Sequence, residues 1–383
     1  MHKTVIAFAI AGLAAAPAFA DSNVTIYGSV DYGYAIRNGD SGLGKACSGA
    51  GGATTKSGCP KGEFASGVSV PNRLGFKGSE DLGNGTKVIF ELEAGFLADD
   101  GTNSIPGAGG VVPGTGPVFR RHSWVGLTGE WGTVLGGRVD GARYGVAGRY
   151  DPFEQGGVAN MASLQGHVTR GDNAIAYVTP NIEGLYAVLA YTPSLIGQEL
   201  LYNTGDIRDW IIQPNYVQGP LSVTLNYEHL TVHNDANETK INVYVVGASY
   251  DFGVAKLTGY YEHVKTDTNS NPSCSGGVNC DENSWMVGTV VPVTENDKVR
   301  ASYVDYDDRS LAKNSCRKWG IGAQHYLSKR TNFYLDYAQI TQRDNGHCTI
   351  GLTPTAGSDD AGGASNQVGV GTRGYDLGIV HRF

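Results

Sequence analysis

The sequence predicts an all-β chain closed into a sixteen-stranded antiparallel barrel that crosses a membrane. Three observations predict it. The last residues alternate, with Tyr375, Leu377, Ile379 and Phe383 on one face of a strand and Asp376, Gly378, Val380 and Arg382 on the other. Connections along the chain are short and long in turn. After Ala20 no run of 18 apolar residues occurs, so no helix can span, and a chain that spans without helices must satisfy its backbone by closing into a barrel.

In chain order, residues 1–20 read as a secretory leader: Lys3 gives a positive start, Val5 to Ala16 an apolar stretch, and Ala18-Phe-Ala20 a small-x-small cleavage site. The mature chain is then 21–383, a single barrel domain without linker or composition break. Losing Lys3 with the leader takes the formal net charge from −8 to −9. Turns and alternation place strands near 23–36, 67–78, 86–97, 117–128, 132–140, 172–180, 185–194, 208–217, 221–232, 240–251, 254–265, 283–292, 298–307, 316–327, 331–342 and 373–383. Most suit a tilted spanning strand of about ten residues. Seven connections are short, from Asp81–Gly85 to Ser328–Arg330, and eight are long, so both termini fall on the short-turn side. A soluble sandwich has no reason to alternate in this way. The 56 Gly, 21 Tyr and 3 Met, and the absence of a convincing amphipathic helix, fit the same reading. A mean hydropathy of −0.22 fits a barrel in which only alternate residues meet lipid.

Six cysteines fall into the sequence-neighbour pairs Cys47–Cys59, Cys274–Cys280 and Cys316–Cys348. Six allow fifteen connectivities, and proximity is the only selector among them. An exported chain favours disulfides. The first two pairs fall inside single loops, and the third is expected to join two neighbouring long loops.

Parity separates the charged side chains from the lipid face. Leu74 and Phe76 leave Arg73 and Lys77 pointing inward. Val88, Phe90 and Leu92 leave Lys87, Glu91 and Glu93 inward. Phe119, Val125 and Leu127 oppose Arg120, His122 and Trp124. Leu135 and Val139 are expected to put Arg138 inside, and Ile175 and Tyr177 to put Arg170 inside if that strand begins early. Such charges are tolerated because a lumen is wet.

Several segments resemble one family. Val24-Thr-Ile-Tyr-Gly-Ser-Val-Asp31, Asn72 to Gly83, Arg120-Arg-His-Ser-Trp-Val-Gly-Leu127, Gly132 to Arg138, Tyr250 to Leu257, Leu327 to Thr331 and the terminal Phe383 are similar, in order, to the general porins of β-proteobacteria, of neisserial and Comamonas type. The resemblance implies a passive pore for small hydrophilic solutes and ions in the bacterial outer membrane, seated in its lipid. It also implies a homotrimer, and it makes Phe383 an assembly signal. It implies that the segment 141–171 folds inward and narrows the barrel, with Arg73, Arg120 and Arg170 as a basic cluster on the wall and Glu93 and Asp151 as acids near it. Basic charge at a narrow point favours anions weakly. The overall negative charge counts less, because charges beyond a Debye length of ~8 Å are largely screened. A surface receptor or adhesin acting through long outer loops is the alternative on the same barrel.

Other signals carry little. Gly369-Val-Gly-Thr-Arg-Gly374 matches a dinucleotide fingerprint but runs into a strand, not a helix. The histidines lack metal-site spacing. A zinc site using His347 and Cys348 lacks a second close pair of ligands. No basic patch suggests nucleic acid. Neither cofactor, metal nor catalytic residue is expected.

Overall fold

Successive strands pair antiparallel around a closed ring. The computed structural model describes residues 23–39, 61–99, 101, 118–165, 167–197, 206–233, 238–267, 281–310, 312–352 and 371–383. The predicted leader and Cys47, Cys59, Cys274 and Cys280 lie outside them.

The first strand, β1 (Asn23–Asn38), closes the ring. Its Ser29–Asn38 stretch pairs with β17 (Arg373–Arg382), and its other edge pairs with two shorter segments, β2 (Lys61–Ser66) and β3 (Arg73–Gly83). These two occupy one position in the wall, so seventeen strand segments fill sixteen positions. The strand expected at 67–78 is therefore broken at 67–72. Gly67 sits at φ +66°, a left-handed conformation that favours glycine, and Pro71 has no N–H to give a ladder. The Asp31 carboxylate takes the N–H groups of Ser69 and Val70 at 2.6 Å each, which draws the interruption into the lumen.

The ring continues through β4 (Thr86–Gly95), β5 (His122–Gly129), β6 (Gly132–Asp140), β7 (Arg170–Val178), β8 (Leu185–Thr192), β9 (Ile207–Gln218), β10 (Leu221–His233), β11 (Glu238–Asp251), β12 (Lys256–Asp267), β13 (Asp281–Pro292), β14 (Asp297–Asp308), β15 (Asn314–Ser328) and β16 (Thr331–Asp344). Tight turns join alternate pairs at one end. Between β3 and β4, Asn84 and Gly85 both have positive φ, the backbone that a two-residue hairpin needs.

No described helix is long and apolar enough to cross a membrane; the strands cross it. Val125, Ile175, Ile212, Leu335 and Leu377 stand outward, each more than half exposed. In water such a band costs about 25 cal/mol per Å2 of apolar surface; in lipid it costs nothing. Near the loop end, Tyr191–Trp210, Tyr227–Tyr244, Trp285–Tyr303, Trp319–Tyr337 and Tyr337–Tyr375 pack ring to ring across neighbouring strands. That is an aromatic girdle, suited to the membrane–water boundary.

The chain after β6 does not cross back over the rim. Residues 141–165 and 167–169 turn into the barrel and begin with a helix, α1 (Ala142–Tyr150). Two glycines within nine residues hide this helix from sequence patterning; packing holds it instead. Arg143, Val146, Ala147 and Tyr150 are its buried residues, and it lies on β10–β12. Small wall residues let the segment approach. A Cβ on Gly247 would lie 2.2 Å from the Tyr150 ring, and one on Gly288 would lie 2.3 Å from Pro152. The Tyr150 hydroxyl hydrogen-bonds Ser222 and Thr224 at 3.0 and 2.9 Å.

A second inward segment meets the first. The Cys316–Cys348 disulfide, with Cα atoms 6.3 Å apart, ties the chain after β16 to β15. Cys316 thus lies on a strand near its outer end, not in a loop. Beyond the bridge Ile350 and Leu352 are buried, and Asn160 Nδ2 donates to the carbonyls of Gly351, at 3.2 Å, and Leu352.

Candidate pore constriction

Five neighbouring strands bring their inward charges to one band of the lumen wall, opposite the inward loop. Glu93 of β4 lies at its centre, 1 % exposed. One carboxylate oxygen takes Arg121 Nε; the other takes the Tyr27 hydroxyl at 2.9 Å and lies 3.9 Å from Arg73 Nη1. Glu91, one inward step away, accepts from Tyr27 at 2.5 Å and pairs with His122 Nδ1 at 2.7 Å. The other ring nitrogen of His122 reaches Asp140 at 3.0 Å, and Asp140 pairs with Arg170 Nη1 at 2.9 Å. The Arg170 guanidinium lies 5.1 Å from the centre of the Tyr144 ring on α1, so the chain of charges crosses from the wall to the loop. Lys77, paired in register with Glu91, holds its ammonium 5.1 Å from the Tyr27 ring.

The predicted residues distribute as follows. Arg73, Glu91, Glu93 and Arg170 lie in this network, and β7 begins early enough to carry Arg170. Arg120, next in the chain to Arg121, is 1 % exposed, and its carbonyl accepts from Arg138 Nε. The strand expected from 117 begins at His122, because residues 118–121 turn instead of extending. That turn breaks the alternation and brings Arg121 to Glu93, although strict parity gives Arg121 the side of Phe119. The Arg-Arg doublet before an apolar strand was the available signal.

Arg138 does not follow parity either. Register sets Leu135 beside the buried Ala176, on the lumen side, and Arg138 beside Ser123, which shares the outward parity of Val125. The β6–β7 ladder shifts between Gly137 and Val139. Arg138 sits in that bulge, donating to the Arg120 carbonyl at 2.5 Å and pairing with Asp172. A bulge re-aims a side chain in a way that simple alternation cannot anticipate.

Asp151 follows α1 and is 3 % exposed. Its carboxylate accepts the backbone N–H groups of Phe153 and Met161 at 2.9 Å and of Gln155 at 3.2 Å. Burial pushes its carboxyl above the usual aspartate range. These contacts fold the loop on itself. The start of α1 is held by the Arg143 N–H on Glu228 at 2.9 Å and by the Arg143 guanidinium on Glu262 at 3.4 Å.

Glu91, Glu93 and His122 come close enough to share a cation. Arg73 and Arg121 already compensate Glu93, so this acidic group is part of an ion-pair network.

A closed antiparallel barrel with an apolar girdled outside, a charged inside and a loop folded into its lumen defines an outer-membrane diffusion channel. The chain belongs to the Gram-negative porin family, whose model matches residues 5–345. It is 32 % identical to outer membrane porin protein 32 of Delftia acidovorans over 100 % of both chains. It is 30 % identical to the major outer membrane protein P.IA of a Neisseria meningitidis serogroup B strain, over 68 % of this chain and 72 % of that one. The anion-selective porin from Comamonas acidovorans superposes with a TM-score of 0.73 at 29 % identity, covering 95 % of this chain and 100 % of that one. The protein is a passive pore of the bacterial outer membrane, and its family is one of channels, not of enzymes.

Proposed function

We propose that this pore passes small hydrophilic solutes without catalysis, prefers anions modestly, and owes that preference to Arg73, Arg120, Arg121 and Arg170. The carrying observation is local: the guanidiniums of Arg73, Arg121 and Arg170 share one wall band with Glu91, Glu93 and Asp140, and Arg120, next in the chain to Arg121, is buried. Guanidiniums stay charged at any working pH. Low-dielectric walls focus their field on the narrowest point. The carboxylates offset part of that charge, so the preference is partial. The Comamonas relative is described as anion-selective, which agrees. Assembly as a homotrimer and removal of residues 1–20 on export belong to the same reading.

The test is a reversal potential in a KCl gradient across a planar bilayer. The unmodified protein is expected to favour chloride. Arg73→Ser with Arg120→Ser is expected to move the reversal potential toward cation preference, and high salt to shrink the difference as screening shortens the reach of the field. An unchanged potential in the double variant would take these arginines out of the selectivity-determining zone.

A further inference from the structure

The alternation that makes the wall polar inside fails on β6–β9. Ile175, Leu189 and Ile212 stand outward, as expected. Over part of that stretch the inward positions are apolar too, although Thr192, Asp209, Gln213 and Asn215 on β8 and β9 are buried polar residues and Gln213 stands beside Val188 in register. Register sets Leu135 beside Ala176, Ala176 beside Ala190, and Ala190 beside Ile211, so one apolar row crosses four strands on the lumen side. Val178 and Val188 form a second row one inward step nearer the short turns. Together they wall a lumen cavity of about 340 Å3 whose facing side is α1.

On α1, Ala142, Arg143, Gly145 and Arg149 line this cavity; Arg143 is engaged by Glu228 and Glu262, while Gly145 and Arg149, four residues apart, share one helix face. Among the described residues, Arg149 is held only by neutral acceptors: its Nη1 donates to Asn215 Oδ1 at 2.9 Å and to Thr224 Oγ1 at 3.1 Å. The neighbouring carboxylates are engaged elsewhere, Glu228 by Arg143 and Asp140 by Arg170 and His122. Asp209 also lines the cavity, but it stands on β9 beyond Ile211, at about 3.4 Å per residue roughly 20 Å from Asn215.

We infer that this cavity is a transit subsite for organic monocarboxylates with a compact apolar body, such as an arene, the carboxylate on Arg149 and the body on the Ala176–Ala190–Ile211 row with Val178 and Val188. An apolar wall facing water is unfavourable, and an apolar body that covers it removes that exposure. A carboxylate meets the guanidinium fork with charge-assisted hydrogen bonds. Apolar space of about 150 Å3 already accepts benzene, so the cavity has room for a ring with its carboxylate. Asp209 at the far end disfavours a second carboxylate there. The inference rests on the pore reading and names a solute class within it.

The test measures how added solutes reduce chloride current through single channels. Benzoate is expected to block at a concentration about tenfold lower than acetate, which lacks the body, or benzamide, which lacks the charge. Arg149→Gln is expected to raise the half-blocking concentration of benzoate about tenfold. Val188→Thr with Ile211→Thr is expected to raise it several-fold while chloride conductance stays unchanged. Equal block by benzoate, acetate and benzamide in the unmodified protein overturns the subsite, whatever the variants do. So does benzoate block that neither set of substitutions moves. Absence of chloride conductance in the unmodified protein would instead remove the pore reading itself.

Discussion

Glu93 decides how the basic wall is arranged. A carboxylate this buried is unfavourable unless paired and hydrogen-bonded, and Arg121, Arg73 and Tyr27 supply those partners. Removing one partner of such a group typically costs 3–5 kcal/mol, roughly, because the other is left uncompensated. Arg121→Ser is therefore expected to do two things: shift the reversal potential toward cations at least as far as Arg73→Ser, and lower the thermal stability of the folded barrel, which Arg73→Ser at the half-exposed end of the network leaves nearly intact. Reversal potentials and heat-denaturation midpoints of the two single variants check this. A larger selectivity shift from Arg73→Ser would place the field-determining charge at Arg73 instead. At this scale the sequence was legible wherever a strand ran straight. Parity puts Arg73, Lys77, Glu91 and Glu93 on the lumen side, because β3 and β4 extend without interruption there. It does not carry through residues 118–121 or through Arg138, where a turn and a shift of the β6–β7 ladder interrupt the alternation. It also gives no hint that Asp151 folds the loop through three N–H groups, since backbone partners leave no mark on side-chain pattern.

The elements that shape the lumen are held by close approach more than by charge. The inward loop crosses to the far wall and settles Tyr150 against Gly247 and Pro152 against Gly288. Any larger residue at these wall positions meets a ring, and overpacking of this kind typically costs about 1–3 kcal/mol. Gly247→Val is expected to push α1 off β11 into the lumen, lowering single-channel conductance while leaving the barrel's strand content and heat resistance unchanged. Conductance at or above that of the unmodified protein would show that the loop is seated by other contacts. Barrel strands were legible as elements because each carries its own period and its own turn. The broken position at 67–72 and the helix α1 were not. Both are fixed by partners distant in sequence: Asp31 draws in the first, and the β10–β12 wall supports the second. Local propensity contains neither fact.

The whole molecule is a sheet whose two ends must find each other. The first strand has to pair with the last, across a sequence separation of more than 300 residues, so closure carries a large loop entropy until it happens. Phe383 sits at that seam. Its N–H and carbonyl both bond Gly28, each at 3.1 Å. Its ring lies where a Cβ on Gly28 would come within 2.5 Å, so the glycine makes space for the aromatic. Deleting Phe383 removes two seam hydrogen bonds and a ring packed at Gly28, whereas the ion pairs of the charged wall band are made among Arg73, Glu91, Glu93, Arg121, His122, Asp140 and Arg170 and use neither group; Tyr27, the neighbour of Gly28, is the band's one link to the seam strand. The deletion is therefore expected to reduce the amount of folded protein in the outer membrane several-fold, while the channels that do assemble keep their single-channel conductance and reversal potential. Quantifying heat-modifiable barrel in outer-membrane fractions, then recording from the purified remainder, separates the two effects. Normal amounts of folded protein would show that closure does not depend on this residue. Normal amounts with altered conductance would tie the seam to the pore itself, against the separation of closure from passage that the contacts of Phe383 describe.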